Sequence, residues 1–314
     1  MTRQSGHEPS FVHEAFLYDD DHEFFDRMVP FIDDGVESGD AVLVVLDRAR
    51  IDTLRSVFST ANGSVQYQDM AEVGRNPGRI ISAWTRFVAD NRSAGRRMRG
   101  IGEPIWHGRT DAEIQECQRH EALLNVAFDG TPGFSLMCPY DRSALGEQVL
   151  ADAGRTHPAL IEEGQTRVSP DYEGEEVDPF AGSLPEPSGA VEEFDLAGLT
   201  LDRVRTLVAD LAAGASLDEQ RSGEFVVAVN EAVTNTIRHA DGVGVLRLWR
   251  EDASVICDVV DHGSIRDPLA GRLPADVTDT EGRGLWLINQ LCDLVQIRSS
   301  ETSNVVRMHM HMHL

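Results

Sequence analysis

The stretch EAVTNTIRHA, residues 231–240, decides the fold of the second half of the chain. The apolar residues in and before it recur at helical spacing and predict an amphipathic helix: Phe225, Val226, Val229, Val233 and Ile237. On that helix Glu231, Asn235 and His239 follow one another at intervals of four residues and form a polar row beside the apolar stripe. Mg²⁺ prefers oxygen ligands and keeps several waters, so Asn235 with phosphate oxygens would suffice to hold it. Glu231 is then free to take a proton.

Two further motifs follow in the chain. DHGSIRDP, residues 261–268, comes directly after an apolar run, so Asp261 can accept a hydrogen bond from an amino group at a strand end. Gly263 lets a ligand approach the backbone closely. GRGLWLINQL, residues 282–291, opens a helix with glycines, and such helix N-termini bind anions. Each motif alone is common, but the three in this order predict one shared pocket.

Together these motifs resemble the N box and the two glycine boxes of the GHKL ATPases, and among them the anti-sigma-factor serine/threonine kinases. The resemblance covers roughly the last 120 residues and implies a GHKL α/β sandwich. It also implies that Asn235 ligates Mg²⁺ on ATP, that Glu231 is the general base for a substrate hydroxyl, and that Asp261 accepts from the adenine amino group.

The resemblance further implies that Gly263 gives the base room and that the phosphates are wrapped by Gly282, Arg283 and Gly284. His239 contacts the phosphates or is a structural hydrogen-bonding residue, and the sequence leaves both readings open. Two positions depart from the family pattern, Ser264-Ile265 where a glycine commonly follows and Ser303-Asn304 where Gly-Thr is frequent. They bear on lid geometry and ATP affinity rather than on the fold.

Composition excludes several kinds of chemistry. The net charge is −25 and all 28 basic residues are arginine, so lysine-based phosphate clamps and Schiff bases are absent. Such acidity argues against direct nucleic-acid binding. The four cysteines are far apart, which argues for reduced thiols and against a disulfide framework or a zinc site. No apolar run approaches membrane-spanning length, so we expect a cytoplasmic protein with no membrane contact.

The first half alternates strand and helix patterns and predicts a doubly wound α/β domain with a parallel sheet. Ligands of such sheets bind beyond the carboxyl ends of strands. We therefore expect a pocket lined by residues at or after those ends: Tyr18, Glu103, Trp106, Tyr140 and Asp141. The alternative is structural, with Glu103 and Asp141 capping helices or pairing with arginines.

The sequence segments HEAFLYDDDHEFF, GEPIW and MCPYD resemble motifs of the MEDS sensory domain. That family is associated with sensing small molecules, and its fold is thought to be related to RecA-type ATPases. Where a phosphate loop would follow the first strand, this chain has Tyr18 and then three aspartates. Because these would repel a triphosphate, we do not expect ATP hydrolysis in this domain.

The predicted organisation is α/β throughout: a doubly wound, RecA-like sensory domain at 1–165, an acidic linker at 166–195 and a GHKL kinase domain at 196–314. The linker prediction rests on many acidic residues with Pro and Gly. The ending RMHMHMHL suits a final strand with Met facing helices and His facing water better than a metal chain.

The predicted function is a kinase that controls a sigma factor by phosphorylating an anti-anti-sigma (STAS) partner, or that holds the sigma factor itself, with ATP and Mg²⁺ as cofactors. Its first domain would bind a small-molecule ligand. One competing reading is a switch that binds ATP without transfer, and another is a metabolic enzyme using Glu103 and Asp141. Dimerisation is common in the resembled kinases, and these residues do not decide it.

Overall fold

The computed structural model describes residues 11–59, 64–174, 180–274 and 283–312. The chain divides into two compact units, Met1–Val177 and Asp178–Leu314. Both are α/β, as the sequence predicts. None of the helices within the described ranges is long and apolar enough to cross a membrane.

The first unit is built on a seven-stranded sheet. Its strands are β1 (Val12–Tyr18), β2 (Ala41–Leu46), β3 (Val65–Asp69), β4 (Met98–Gly102), β5 (Phe134–Asp141), β6 (Ala159–Glu162) and β7 (Gln165–Val168). Its α-helices are α1 (Asp21–Ser38), α2 (Arg48–Val57), α3 (Met70–Val73), α4 (Ile80–Arg92), α5 (Asp111–Phe128) and α6 (Glu147–Thr156). The strand order is β3-β2-β4-β5-β1-β6-β7, parallel except for the antiparallel β6-β7 pair.

Local chemistry fixes the ends of these helices. Asp20 caps α1 by accepting from the Glu23 amide, and Gly39 ends it with a φ of 75°. Thr110 and Glu113 form a capping box at the start of α5. Because β1, β2, β4 and β5 run parallel, their carboxyl ends lie along one edge of the sheet.

Parts of the stretch at 166–195 join the two sheets, and residues 175–179 of it lie outside the described residues. β7 takes most of its first residues into the first sheet, and β8 (Glu192–Asp195) joins the second sheet beside β9 (Gly244–Glu251). Between them, the carbonyl of Pro185 accepts from Arg307. Both strands are exposed along most of their length, and the linker between the two units stays a prediction.

The second unit has a five-stranded sheet in the order β11-β12-β10-β9-β8. Its further elements are α7 (Leu201–Gly214), α8 (Glu219–His239), β10 (Ser254–Asp261), α9 (Arg283–Leu291), β11 (Leu294–Ser299) and β12 (Asn304–His311). Every pair of neighbouring strands in this sheet is antiparallel. α8 packs on β10 and β12 and also contacts α7 and α9.

The His/Met-rich ending forms strand β12. Met308 and Met310 are fully buried in the core beneath the helices, while His309 and His311 are half-buried. The preference for a strand with Met facing the helices is confirmed, although His309 is less open to water than expected.

A buried ion pair ties α8 to the far end of α9. The Arg221 guanidinium pairs with Asp293, whose carboxylate also accepts from the His311 amide at 2.7 Å. We expect Asp293→Ala to lower the free energy of unfolding by about 1–3 kcal/mol, because the buried guanidinium then keeps only Glu224 as an ionic partner. Urea denaturation checks this, with Asp202→Ala at an exposed ion pair as the control, for which we expect less than about 1 kcal/mol. Equal losses in the two variants would contradict the assignment.

His309 gives the second unit a pH-dependent stability. Burial, followed by the nearby charge of Arg307, lowers the pKa of His309 to about 3. The unfolded chain therefore binds more protons than the folded one between pH 6.5 and 3, and stability falls as the pH falls through that window. From pH 7 to 5 we expect His309 to account for roughly 1–2 kcal/mol of loss. Denaturation at both pH values should show a smaller loss in His309→Gln, and an identical loss would rule the effect out.

Candidate functional site

The three motifs of the second unit meet at the start of α9. A Cβ atom built on Gly284 would lie 3.0 Å from Nδ2 and 3.1 Å from Oδ1 of Asn235. These separations are tighter than ordinary contacts, so any larger residue at 284 would have to displace the Asn235 side chain. The second glycine box therefore lies directly against the carboxamide of Asn235, one turn before the end of α8.

A cavity of about 380 Å³ opens beside this contact. It is lined by residues of α8, the end of β10, the loop after it, α9 and β12: Ala232, Asn235, His239, Val259, Asp261, Gly263, Ser264, Ile265, Arg266, Asp267, Leu285, Asn304 and Val306. This volume lies in the range of small-ligand sites. Four of the residues expected from the sequence are thus brought together: Asn235, His239, Asp261 and Gly263.

The other expected residues lie differently. Glu231 is half-buried one turn before Asn235 on the same face of α8, and it does not line the cavity. Arg283 is the exposed first residue of α9. Gly282 lies outside the described residues. His239 is exposed at the end of α8, which leaves its two roles open.

Asp261 is buried and held by three donors. Its Oδ2 accepts from Thr236 Oγ1 at 2.6 Å. Its Oδ1 accepts from the Gly263 amide at 2.9 Å and from Asn304 Nδ2 at 3.2 Å. A carboxylate offers about four acceptor sites, so one remains for a ligand.

Asn304 presents a second acceptor at the same place. Its Oδ1 is buried without a hydrogen-bond partner, and rotating the amide would bring that oxygen against the Asp261 carboxylate instead. Buried unpaired acceptors are rare in folded proteins, so this oxygen is available to a donor from a ligand or a water. An amino group beside Asp261, such as that of adenine, satisfies both residues.

Sequence reasoning missed three residues of this site. Thr236 lies inside the central motif, and its place one turn from the end of α8 was the available signal. In the sequence, Asn304 stands out only as a departure from the family pattern. In the structure its side chain donates a hydrogen bond to Asp261. Arg266 lines the cavity, and its position in the loop after Asp261 was the only hint.

A second cavity, of about 450 Å³, lies at the carboxyl edge of the first sheet. Its lining includes four of the residues expected there: Tyr18, Glu103, Trp106 and Asp141. Asp21, Asp47 and Arg50 also line it, so carboxylates outnumber the cationic group.

Glu103 is fixed at the floor of this cavity. Its carboxylate accepts from Tyr18 Oη at 2.6 Å and from Arg50 Nη1 at 2.5 Å. Burial raises the pKa of Tyr18, so the phenol keeps its proton and donates. Burial also raises the pKa of Glu103, and Arg50 opposes that effect. The structural alternative for Glu103, pairing with an arginine, is present. Asp141 also makes a local contact, since its carboxylate accepts from the amide and the hydroxyl of Ser143.

Tyr140 does not line the cavity. It precedes Asp141 on β5, so it faces the other side of the sheet, where it is buried with its ring edge-on to His157 at 5.6 Å between centroids. The expectation that it joins the pocket fails because adjacent strand residues alternate between faces.

Two family models match the chain, one in each half. Residues 12–158 match the family model MEDS, described as the methanogen/methylotroph, DcmR sensory domain. Residues 195–310 match the histidine kinase-like ATPase domain. The chain is a MEDS domain followed by a histidine kinase-like ATPase domain. The ATPase domain implies ATP binding, and its cavity has the acceptors that an adenine amino group requires.

Two solved structures have partial likeness to the chain. The RsbU and RsbW domains of Rv1364c from Mycobacterium tuberculosis are 19% identical over 39% of this chain and 32% of that one, with a TM-score of 0.28. The Acinetobacter baumannii histidine kinase AdeS is 15% identical over 40% of this chain and 68% of that one, with a TM-score of 0.24. No curated protein matches the chain.

Proposed function

We propose that the ATPase domain is a protein serine/threonine kinase that phosphorylates an anti-anti-sigma (STAS) partner and so controls a sigma factor. The observation that carries the proposal is the meeting of three motifs at one cavity. Asn235 lies against Gly284, Asp261 and Asn304 offer acceptors to one amino group, and Glu231 stands one turn from Asn235 on α8.

ATP held with Mg²⁺ would supply the phosphoryl group, and Asn235 is the side chain that would hold the metal through its carbonyl oxygen. The protein has no lysine, so backbone amides and arginine must offset the phosphate charge. Arg266 lines the cavity, and Arg283 opens α9. Both arginines therefore lie on segments that border the cavity.

Glu231 is the proposed general base. It lies on the same line of α8 as Asn235 but outside the cavity, so it can face a hydroxyl that arrives from a second protein. A positioned carboxylate that takes the hydroxyl proton as the bond forms typically contributes 10²- to 10⁴-fold. This placement favours a protein substrate over hydrolysis by water inside the cavity.

The MEDS domain is the proposed sensory half. Its cavity is lined by Asp21, Asp47, Glu103 and Asp141, with Arg50 already paired to Glu103 and Asp21. Such a lining repels anions, so we infer a neutral or cationic small molecule as ligand. Trp106, stacked on Arg109 at 3.7 Å, adds an apolar wall.

The test is transfer of label from γ-labelled ATP to an anti-anti-sigma protein encoded in the same genome, in the presence of Mg²⁺. We expect label on a serine or threonine of the partner, stable in acid. ATP binding without transfer to any such partner would contradict the kinase and support a switch that uses ATP only as a conformational ligand. Acid-labile label on the chain itself would instead indicate a histidine kinase.

A further inference from the structure

Four side chains from separate parts of the MEDS domain converge in its interior. They are His13 on β1, Glu121 on α5, Cys138 on β5 and His157 at the end of α6. Each is at most 2% exposed. The cluster faces away from the ligand cavity, since His13 and Cys138 point to the sheet face opposite that of Tyr18 and Asp141.

The spacing of their polar atoms is that of ligands around one ion. Glu121 Oε2 lies 3.1 Å from His13 Nε2, 3.3 Å from His157 Nε2 and 3.4 Å from Cys138 Sγ. Cys138 Sγ lies 3.4 Å from His13 Nε2, and all four atoms are within 4.8 Å of one another. Tetrahedral zinc, with bonds of about 2.0–2.3 Å, separates its ligand atoms by roughly 3.3–3.8 Å.

The outer nitrogens of both histidines are fixed as donors. His157 Nδ1 lies 2.9 Å from the Ala153 carbonyl, which can only accept. His13 Nδ1 lies 3.1 Å from Asn125 Oδ1, and the amide of Asn125 is oriented by its donation to the Thr156 carbonyl at 2.8 Å. Metal-binding histidines are held in this way, with the hydrogen on the outer nitrogen and the lone pair on the inner one.

When both imidazoles are neutral, this arrangement leaves the lone pairs of the inner nitrogens facing a carboxylate. The Cys138 thiol is then the one donor among the four groups, and it faces three acceptors, on His13, His157 and Glu121. His157 Nε2 and Glu121 Oε1 are buried without a hydrogen-bond partner. Three acceptors at contact distance in a dry interior repel one another unless a cation lies among them.

We propose that this cluster binds one divalent transition-metal ion, with Zn²⁺ as the expected occupant. One thiolate, two imidazoles and one carboxylate complete a four-coordinate set and neutralise a divalent ion. Mg²⁺ and Ca²⁺ do not suit nitrogen and sulfur ligands. Four protein ligands leave no open position, so the ion would clamp β1 and β5 to α5 and α6 rather than catalyse a reaction.

The cysteine count could not reveal this site. Widely spaced cysteines argue against zinc only when cysteine pairs supply the ligands, and here a single cysteine takes part. The other three ligands are a buried carboxylate and two histidines far apart in the sequence. The proposal is independent of the kinase activity, because it concerns the other domain.

The first test is the metal content of the purified full-length chain after growth with Zn²⁺ and dialysis. We expect one zinc per chain, retained in Cys117→Ser and lost in Cys138→Ser. Cys117 is the matched control, because it is buried on the same helix as Glu121 but its thiol donates to the Pro104 carbonyl at 3.3 Å. A folded wild-type chain that takes up no zinc, or equal losses in the two variants, would overturn the proposal.

The second test does not require Cys138→Ser to fold. Zinc is replaced by Co²⁺ in the wild-type chain, and we expect a thiolate-to-cobalt charge-transfer band with the visible bands of a tetrahedral ion. Adding Zn²⁺ to the metal-free chain should also raise its melting temperature, because the ion binds only the folded state. Absence of the cobalt band in folded wild-type protein would show that the cluster is a hydrogen-bonded network without metal.

Discussion

Replacing Asn235 by alanine is expected to abolish the binding of Mg-ATP. The side chain is the only carboxamide on the cavity wall formed by α8 within the described residues, and it lies against Gly284 at the start of α9. A residue that only supports a metal ligand typically contributes 10- to 100-fold to affinity, so loss of the ligand itself should cost about 100-fold or more. Calorimetric titration with ATP, with and without Mg²⁺, measures the effect.

Asn230→Ala is the matched control. Asn230 lies on the same helix and is half-buried, but its side chain accepts from Arg205 Nε at 3.1 Å and does not line the cavity. We expect unchanged affinity in that variant. If Asn235→Ala bound Mg-ATP as the wild type does, the interpretation of the motif at 231–240 would be wrong.

Replacing Glu231 by glutamine is expected to remove phosphotransfer while leaving nucleotide binding intact. The carboxamide keeps the shape and hydrogen bonding of the residue but cannot take the proton of the incoming hydroxyl. The transfer rate to the partner should fall by about 10²- to 10⁴-fold. Because Glu231 stands outside the cavity, the affinity for Mg-ATP should change little.

The measurement is a single-turnover assay with saturating Mg-ATP, with Glu219→Gln as the control. Glu219 is an exposed carboxylate in the first turn of the same helix, and we expect no loss of rate there. Loss of ATP binding in Glu231→Gln would assign Glu231 a structural role. An unchanged transfer rate would exclude it as the base.

Much of the second domain could be predicted because its motifs are short and local. Asn235 and Glu231 share a helix, and the helical period alone places them side by side. The partners of Asp261 could not be predicted in the same way. Thr236 and Asn304 reach it from α8 and β12, and only the packing of the helix on the sheet brings these atoms together.

The first domain shows the limits of composition more clearly. α5 spans the predicted residues 111–128, because a capping box and a continuous helical pattern mark its ends. The β6-β7 hairpin lies at the boundary between the predicted sensory domain and the predicted linker. Its turn, Glu163-Gly164, has positive φ at both residues, which is the geometry of a tight two-residue hairpin.

The buried cluster of the MEDS domain could not be predicted from the sequence at all. Its ligands lie on two strands and two helices, and none forms a spaced pair. Strand order decides which of them meet, since β1 lies between β5 and β6 in the sheet. The pattern of one sequence does not specify that order.

A crystal structure of the chain with Mg²⁺ and a non-hydrolysable ATP analogue tests the central claim most directly. We predict the adenine amino group within hydrogen-bond distance of Asp261 and the Asn235 carbonyl oxygen about 2.1 Å from Mg²⁺. Nucleotide bound at the cavity of the first domain, or in the second domain without contact to Asp261 and Asn235, would contradict it.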